Sequence, residues 1–243
     1  MNRSVGGDED WCGAIADRPF ISVIIPTLNE RTGILGAIRS AADPEVLEVF
    51  VVDGGSTDDT GAIAEQAGAK VLHGGRGRAV QMNLGAGAAS GDLLLFLHGD
   101  SVLPSGFGAV LRREFQRSRP LWGRFDVHLA GHAIGLRMVE VLMNLRSRWT
   151  RIATGDQAIF VRREWFSRSG GFASQPLMED IEFSGRAKRA GPMLALAGPV
   201  VTSARRWEKN GFLRTILLMW CLRAAYWEGI PLRWLAVVYS RGR

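Results

Sequence analysis

The stretch Gly91–Asp100, GDLLLFLHGD, places residues that could do chemistry at the end of an apolar run. Leu93–Leu97 is too brief for an ordinary helix and reads as a strand buried on both faces. It stops at His98-Gly99-Asp100, with Ser101 and Pro104 behind, so polar groups appear at its tip. In an open parallel sheet, ligands bind beyond the carboxyl ends of the strands. A carboxylate there, beside a glycine that lets a ligand approach closely, suits a hard divalent cation carrying phosphates. Asp100 would serve equally as a turn residue before a helix. The segments around it bear on the choice.

Phe20–Ile25 is a β-branched, continuous strand stopped by Pro26 and followed by Thr27-Leu28-Asn29-Glu30. Ile34, Leu35, Ile38 and Ala42 recur at helical spacing. A second strand, Val46–Val52, ends in Asp53-Gly54-Gly55-Ser56, and Ser56 with Asp59 makes a capping-box pattern for a helix over Thr57–Gln66. A third strand, Ala69–Leu72, leads to a glycine loop carrying Arg76 and Arg78, then a helix over Ala79–Ala89. Short strand–helix repeats of this kind predict a parallel, doubly wound α/β sheet with right-handed crossovers. Its polar strand tips, Asn29/Glu30, Asp53 and Asp100, then share one edge, the geometry of a nucleotide site.

The second half changes character. The pattern predicts a helix over Ser105–Gln116, an edge strand over Trp122–Leu129 and an apolar helix with interspersed arginines over Ala133–Trp149. Gly155-Asp156-Gln157 precedes a strand at Ala158–Val161. Leu177–Glu182 opens a helix whose acidic start and basic end complement its dipole, and Gly191 and Pro192 stop it. A last strand is expected at Met193–Ala197. Two apolar helices, Gly211–Trp227 and Pro231–Tyr239, carry Trp220, Trp227, Trp234, Arg214, Arg223 and Arg233. That blend suits a membrane interface, a homodimer face or core packing. Residues 1–18 lack periodicity and read as a flexible tail ahead of one domain over 19–243.

With 243 residues, 47% of them hydrophobic and 22% charged, the chain can bury a substantial core. Cys12 and Cys221 lie far apart in no paired-thiol motif, which favours a reducing compartment over a disulfide framework or zinc site. The polar, acidic start MNRSVGGDED predicts no signal peptide. The longest apolar run, Ile216–Leu222, is far below the roughly 20 residues of a spanning helix. A cytoplasmic protein is expected, at most peripheral at the inner membrane face. The net charge of +6 suits anionic partners, but no nucleic-acid motif is present. Neither G-x-G-x-x-G after the first strand nor GxxxxGK[ST] occurs, which argues against dinucleotide dehydrogenases and P-loop proteins. A nucleotidyltransferase's glycine- and arginine-rich loop after the first strand is missing too.

SVIIPTLNE, VVDGGSTDDT, GRGRAVQMNLGA, GDLLLFLHGD, GDQAIFVRR, GGF with PLMEDIEF, and ARRWEKNG occur in that order. From about Phe20 onward the chain thereby resembles family 2 glycosyltransferases of the GT-A fold, most of all the bacterial subgroup associated with radical-SAM/selenodomain proteins, of arsenosugar-biosynthesis type. The resemblance implies an inverting, metal-dependent transfer of one sugar from a nucleotide-sugar donor to a hydroxyl of a small-molecule or lipid-linked acceptor. It divides the domain into a nucleotide-binding half (19–125), an acceptor half (126–205) and a helical extension (206–243). A non-catalytic nucleotide-sugar-binding protein, or a peripheral membrane protein on the same fold, is the alternative.

By the same resemblance, Asp100 stands at the metal aspartate and would hold Mg2+ or Mn2+ on the diphosphate, with His98 replacing the first aspartate of the motif as a second candidate ligand. Asp53 would help bind the nucleoside, although Gly54 replaces its usual acidic neighbour. Pro26, Asn29 and Glu30 would shape the base and ribose pocket. Arg76, Arg78 and Asn83 match the donor-side Gly/Arg loop and N-x-G. Asp180 matches the aspartate that takes the acceptor proton, with Glu179 and Glu182 as its neighbours. Asp156 and Gln157 match the acceptor-side G-D-Q. Arg206 and Trp207 match the RW that touches diphosphate and acceptor, while Ser203 in the glutamine position argues against a processive polymerase.

Overall fold

The computed structural model describes residues 20–241, apart from the side chains of Arg206, Asn210, Ser240 and Arg241. The expected tail over residues 1–18, and Cys12 within it, lie outside the described residues. The elements follow in order: β1 (Ile21–Thr27), α1 (Ile34–Ser40), β2 (Val46–Asp53), α2 (Thr60–Gln66), β3 (Lys70–His73), α3 (Arg78–Ala88), β4 (Leu93–Phe96), β5 (Ser101–Val102) and α4 (Phe107–Ser118). The second half adds β6 (Trp122–Leu129), α5 (Ile134–Thr150), a 3-10 turn (Gly155–Gln157), β7 (Phe160–Arg162), α6 (Arg163–Arg168), α7 (Glu179–Ala190) and β8 (Met193–Thr202). Helices α8 (Arg205–Asn210), α9 (Phe212–Trp227) and α10 (Leu232–Arg241) close the chain. Among the described residues no helix is long and apolar enough to cross a membrane.

One mixed sheet runs β3-β2-β1-β4-β7-β6-β8-β5. Its first four strands are parallel, β7 is antiparallel to both β4 and β6, and β6 pairs β8 in parallel. The wholly apolar strands are buried on both faces, as expected for a sheet between helical layers. Ile25, Leu95 and Phe160 pack on one face with Phe107 and Phe125, while Ile24, Leu94 and Phe96 pack on the other with Phe166, Phe172 and Phe183.

Several sequence expectations need correction. Trp122–Leu129 is no edge strand: it lies between β7 and β8, and its buried Trp122 and Phe125 suit that interior position. Strand β1 runs through Pro26 to Thr27, because β4 has ended at Phe96 and no ladder partner faces the proline nitrogen on that side. Strand β8 continues to Thr202 past Gly198-Pro199, where a shift in register against β6 absorbs the proline as a bulge. The Ser56/Asp59 capping box does not form. Ser56 instead donates to Asp53, the side chain of Asp58 receives Thr60, and α2 begins at Thr60.

At the opposite end of the parallel strands from Asp100, the buried Glu48 carboxylate ties four segments together. It accepts from Ser22 Oγ at 2.9 Å, Ser90 N–H at 2.7 Å and Lys70 Nζ at 2.7 Å. Burial opposes its charge, but Lys70 and the serine donors outweigh that and lower its pKa to about 2. A carboxyl lowered on folding gives stability that is full above its unfolded pKa and lost as pH falls toward the folded one. Glu48→Gln is therefore expected to flatten the fall in melting temperature from about pH 5 to pH 2 and to cost on the order of 2–3 kcal/mol at neutral pH, read by pH-resolved thermal denaturation.

Candidate active site

Three parallel strands deliver the first group of residues. Thr27 at the end of β1 stands opposite Asp53 at the end of β2, and β4 stops two residues before His98. Buried Gln81 donates its amide to the carbonyls of Thr27 and Val52, each at 2.7 Å, locking the tips of β1 and β2 together. Gly54 leaves room for it, since a Cβ there would lie 3.0 Å from Gln81 Nε2.

The buried Asp53 carboxylate accepts from Ser56 N–H at 3.0 Å and Ser56 Oγ at 2.5 Å. Ser56 Oγ accepts from Asn29 N–H at 2.9 Å, and Asn29 Oδ1 accepts from Thr57 N–H at 2.8 Å. Asn29 takes a left-handed φ of 56°, which its side chain tolerates. Asp53 thus combines the turn role with the strand-tip position. Pro26 is buried inside β1.

Glu30 and Asp100 meet across a guanidinium: Arg205 Nη2 lies 3.0 Å from Glu30 Oε2 and 3.5 Å from Asp100 Oδ2. Its hydrogen bond to Glu30, then the charges of Glu30 and Asp100, raise the Arg205 pKa further. The contact depends on a close backbone approach, because a Cβ on Gly33 would sit 2.7 Å from the Gly99 carbonyl. Asp100 alone fits a cation that keeps phosphate oxygens and water as its other ligands. Among the described residues no three His, Cys, Asp or Glu groups enclose a metal ion.

The second group gathers where the 3-10 turn meets the first turn of α7. Asp180 Oδ2 accepts from Gly155 N–H at 2.9 Å and Oδ1 from Ile181 N–H at 2.8 Å, which fixes the carboxylate. His98 Nδ1 lies 3.2 Å from Asp156 Oδ1. Gly155 makes that possible, since a Cβ on it would stand 2.4 Å from His98 Nε2. His98 therefore joins the end of β4 to the second group.

Arg78, His98, Asp156, Glu179 and Asp180 line one pocket, roofed by Met219, Arg223 and Tyr239 from α9 and α10. Burial, then the Asp180 charge, raises the pKa of Glu179. Burial works against the charge of Arg78, yet the field of Tyr239, Glu179, Asp156 and Asp180 raises its pKa. Burial and the nearby Arg223 bring Arg146 down to about 10, and burial also lowers Arg223. Nη2 of Arg146 and Nε of Arg223 are buried without a hydrogen-bond partner among the described residues.

Other expected site residues lie elsewhere. The Asn83 amide pairs in both directions with the Phe172 backbone, at 2.8 and 2.9 Å. Gln157 is buried and closes its own turn by accepting from Thr154 N–H at 3.1 Å. Trp207 packs with the cluster of Leu129, Leu136 and Val139. Arg76 is exposed in the loop before α3, and the Arg206 side chain lies outside the described residues. Sequence reasoning did not assign Arg205, Arg146, Arg223 or Tyr239 to the site. The Arg205-Arg206 pair held the signal for the first, and arginines recurring inside apolar helices held it for Arg146 and Arg223.

The mixed sheet with helices on both faces is a GT-A-like α/β fold. The architecture is similar to that of S. aureus TarS 1–349, in complex with UDP-GlcNAc, with a TM-score of 0.62, 21% identity and coverage of 76% of this chain and 58% of that one. It is also similar to the Mycobacterium tuberculosis glucosyl-3-phosphoglycerate synthase in complex with Mn2+, UDP and glucosyl-3-phosphoglycerate, with a TM-score of 0.50, 20% identity and coverage of 74% and 70%. In sequence, the synthase of M. tuberculosis H37Rv is 35% identical over 128 residues, 42% of this chain and 39% of the relative. Residues 22–173 match the model for Glycosyl transferase family 2, and the chain belongs to that family.

The raised pKa of Glu179 carries a sign. A carboxyl that holds its proton longer in the folded state gives stability present below its unfolded pKa and lost as pH rises through the folded one. Glu179→Gln is expected to match the parent's melting temperature near pH 4 and to exceed it at pH 7. Equal melting temperatures at pH 7 would place no penalty on the buried charge.

Proposed function

We propose that the chain is an inverting, metal-dependent glycosyltransferase that moves one sugar from a nucleoside diphosphate donor to an acceptor hydroxyl. The observation that carries this reading is the fixed Asp180 carboxylate, set in a pocket beside the strand ends that hold Asp53, Glu30 and Asp100. Asp180 takes the proton of the acceptor hydroxyl as its oxygen attacks C1 of the donor sugar. The bond from C1 to the diphosphate oxygen breaks, and the nucleoside diphosphate leaves with the electron pair. Asp53, Asn29 and Pro26 would shape the nucleoside side, and Arg76, exposed in the loop before α3, would pair with the donor phosphates. Asp100 would hold Mg2+ or Mn2+, which when bound neutralises charge developing on the leaving diphosphate. Arg205 neutralises Glu30 and Asp100 in the same place and would have to yield to that cation or share its anion.

The UDP and UDP-GlcNAc complexes of the structural relatives make UDP-sugars the first donors to test. On the acceptor side, Arg78 and Arg223 in the pocket lining suit an acceptor with an anionic group near its hydroxyl, whether a small molecule or lipid-linked. The product of the mycobacterial relative carries such a group. The order of the sequence motifs further supports the radical-SAM/selenodomain-associated subgroup. The curated relative is matched over 39% of its length, so its activity does not transfer whole.

With UDP-sugars and Mn2+, the parent is expected to gain thermal stability as RT ln(1 + [L]/Kd), roughly 2.7 kcal/mol at a hundredfold excess over Kd. Asp100→Ala should lose the manganese-dependent part. Asp180→Asn should keep the donor shift while turnover falls about a hundredfold to ten-thousandfold. An Asp180→Asn enzyme with parental turnover would remove Asp180 as the base.

A further inference from the structure

Three neighbouring helices each turn an apolar stripe to solvent. On α5 it runs through Ile134, Met138, Val141, Leu145 and Trp149, on α9 through Leu213, Leu217, Trp220 and Trp227, and on α10 through Trp234, Val237 and Val238. The spacings of three and four residues make each stripe one helical face, opposite the face that packs inward. Leu136 and Val139 of α5 and Leu222 of α9 are buried behind these stripes, as is Leu235 of α10. Helix α9 packs against both α5 and α10. The stripes therefore share one helical layer. Trp149, Trp220, Trp227 and Trp234 are 87%, 63%, 67% and 59% exposed, which is unusual for side chains that normally bury their rings.

The charges on this layer say what covers it. Arg151, Arg214 and Arg233 are exposed and stand next to, or two residues from, Trp149, Leu213 and Trp234 in the chain, while Arg148 is paired with Asp126. Helices α9 and α10 contain no acidic residue, and the one acid of α5, Glu140, is buried. Glu228, at the end of α9, is the exposed acid beside these stripes, so a second copy of the same face would oppose mainly arginine to arginine. An anionic leaflet answers both features, because tryptophan settles at the headgroup level and each arginine gains from the negative surface potential.

We infer that the α5–α9–α10 layer docks on an anionic bilayer surface, lying in the interface rather than crossing it. The inference stands on this face alone, whatever donor the pocket takes. Because α9 and α10 also roof that pocket, docking would hold the pocket beside the leaflet.

The test is co-sedimentation of the full chain with phosphatidylglycerol/phosphatidylcholine vesicles and with pure phosphatidylcholine vesicles, alongside its mass in solution. Binding to the anionic vesicles, weakened by salt, with a blue shift of tryptophan emission, is expected. Arg214→Gln and Arg233→Gln should each weaken partitioning about fivefold. Trp220→Ser combined with Trp234→Ser should weaken it further, with the circular dichroism and any UDP-sugar thermal shift of the parent retained. No binding to anionic vesicles by a folded protein would overturn the proposal, as would a stable dimer dispersed by the same tryptophan substitutions. Loss of the UDP-sugar shift in the parent would count against the transferase reading and leave this one standing.

Discussion

Like charges crowded at one end of the sheet are the constraint on which the rest of this molecule depends. Glu30, Asp53 and Asp100 end or follow the parallel strands, while Asp156, Glu179 and Asp180 close the other side of the cleft. Each answers the repulsion differently. Asp53 is satisfied by Ser56, Glu30 and Asp100 share Arg205, Asp180 draws on two backbone N–H groups, and Glu179 is pushed toward its neutral form. Arg78, Arg146 and Arg223 supply the opposing field around Asp180. A cluster balanced in this way changes when an anion or a cation enters, because some of its groups have partners that a ligand can replace and others have none.

The two halves of that cluster are held on different kinds of structure. The strand tips are rigid, pinned by Gln81 across β1 and β2 and by Glu48 at the far end of the same strands. The second group rests on a 3-10 turn and a helix start, where Met178 takes a left-handed φ of 66° to launch α7. His98 connects the two, since it leaves the central strand and reaches Asp156. A histidine in that place links the two groups, whereas a carboxylate would add another like charge to the crowd.

What could be read from sequence followed from local periodicity. The parallel strands are uniform apolar runs, and the residues that stop them are polar, so β1, β2, β4 and the shared edge of Asn29, Asp53 and Asp100 were legible. The order of the second half was not. Strand β6 carries Arg124, Asp126 and His128 at alternate positions, and that alternation looked like an edge although Arg124 is buried and β7 and β8 flank the strand. Strand β8 looked finished before Pro199 because nothing local announces a bulge. At the site, nothing local announces that Arg205 reaches Glu30, 175 residues away. Nor could the sequence foresee that the Asn83 amide would be taken by the Phe172 backbone, 89 residues away.

The C-terminal helices show why one stripe of hydrophobic residues is an incomplete signal. Their sequence allowed membrane contact, dimerisation or core packing, and the fold assigns packing to one face only. Leu222 and Leu235 are buried against Ile152, Met178 and Ile181, and the same helices lower Met219, Arg223 and Tyr239 onto the pocket. Trp220, Trp227 and Trp234 remain outside. A helix apolar on both sides has two separate burial demands, and the core can meet only one of them. Because the inward face also fixes Arg223 over Asp180, whatever occupies the outward face acts on a layer whose position sets the electrostatics of the pocket.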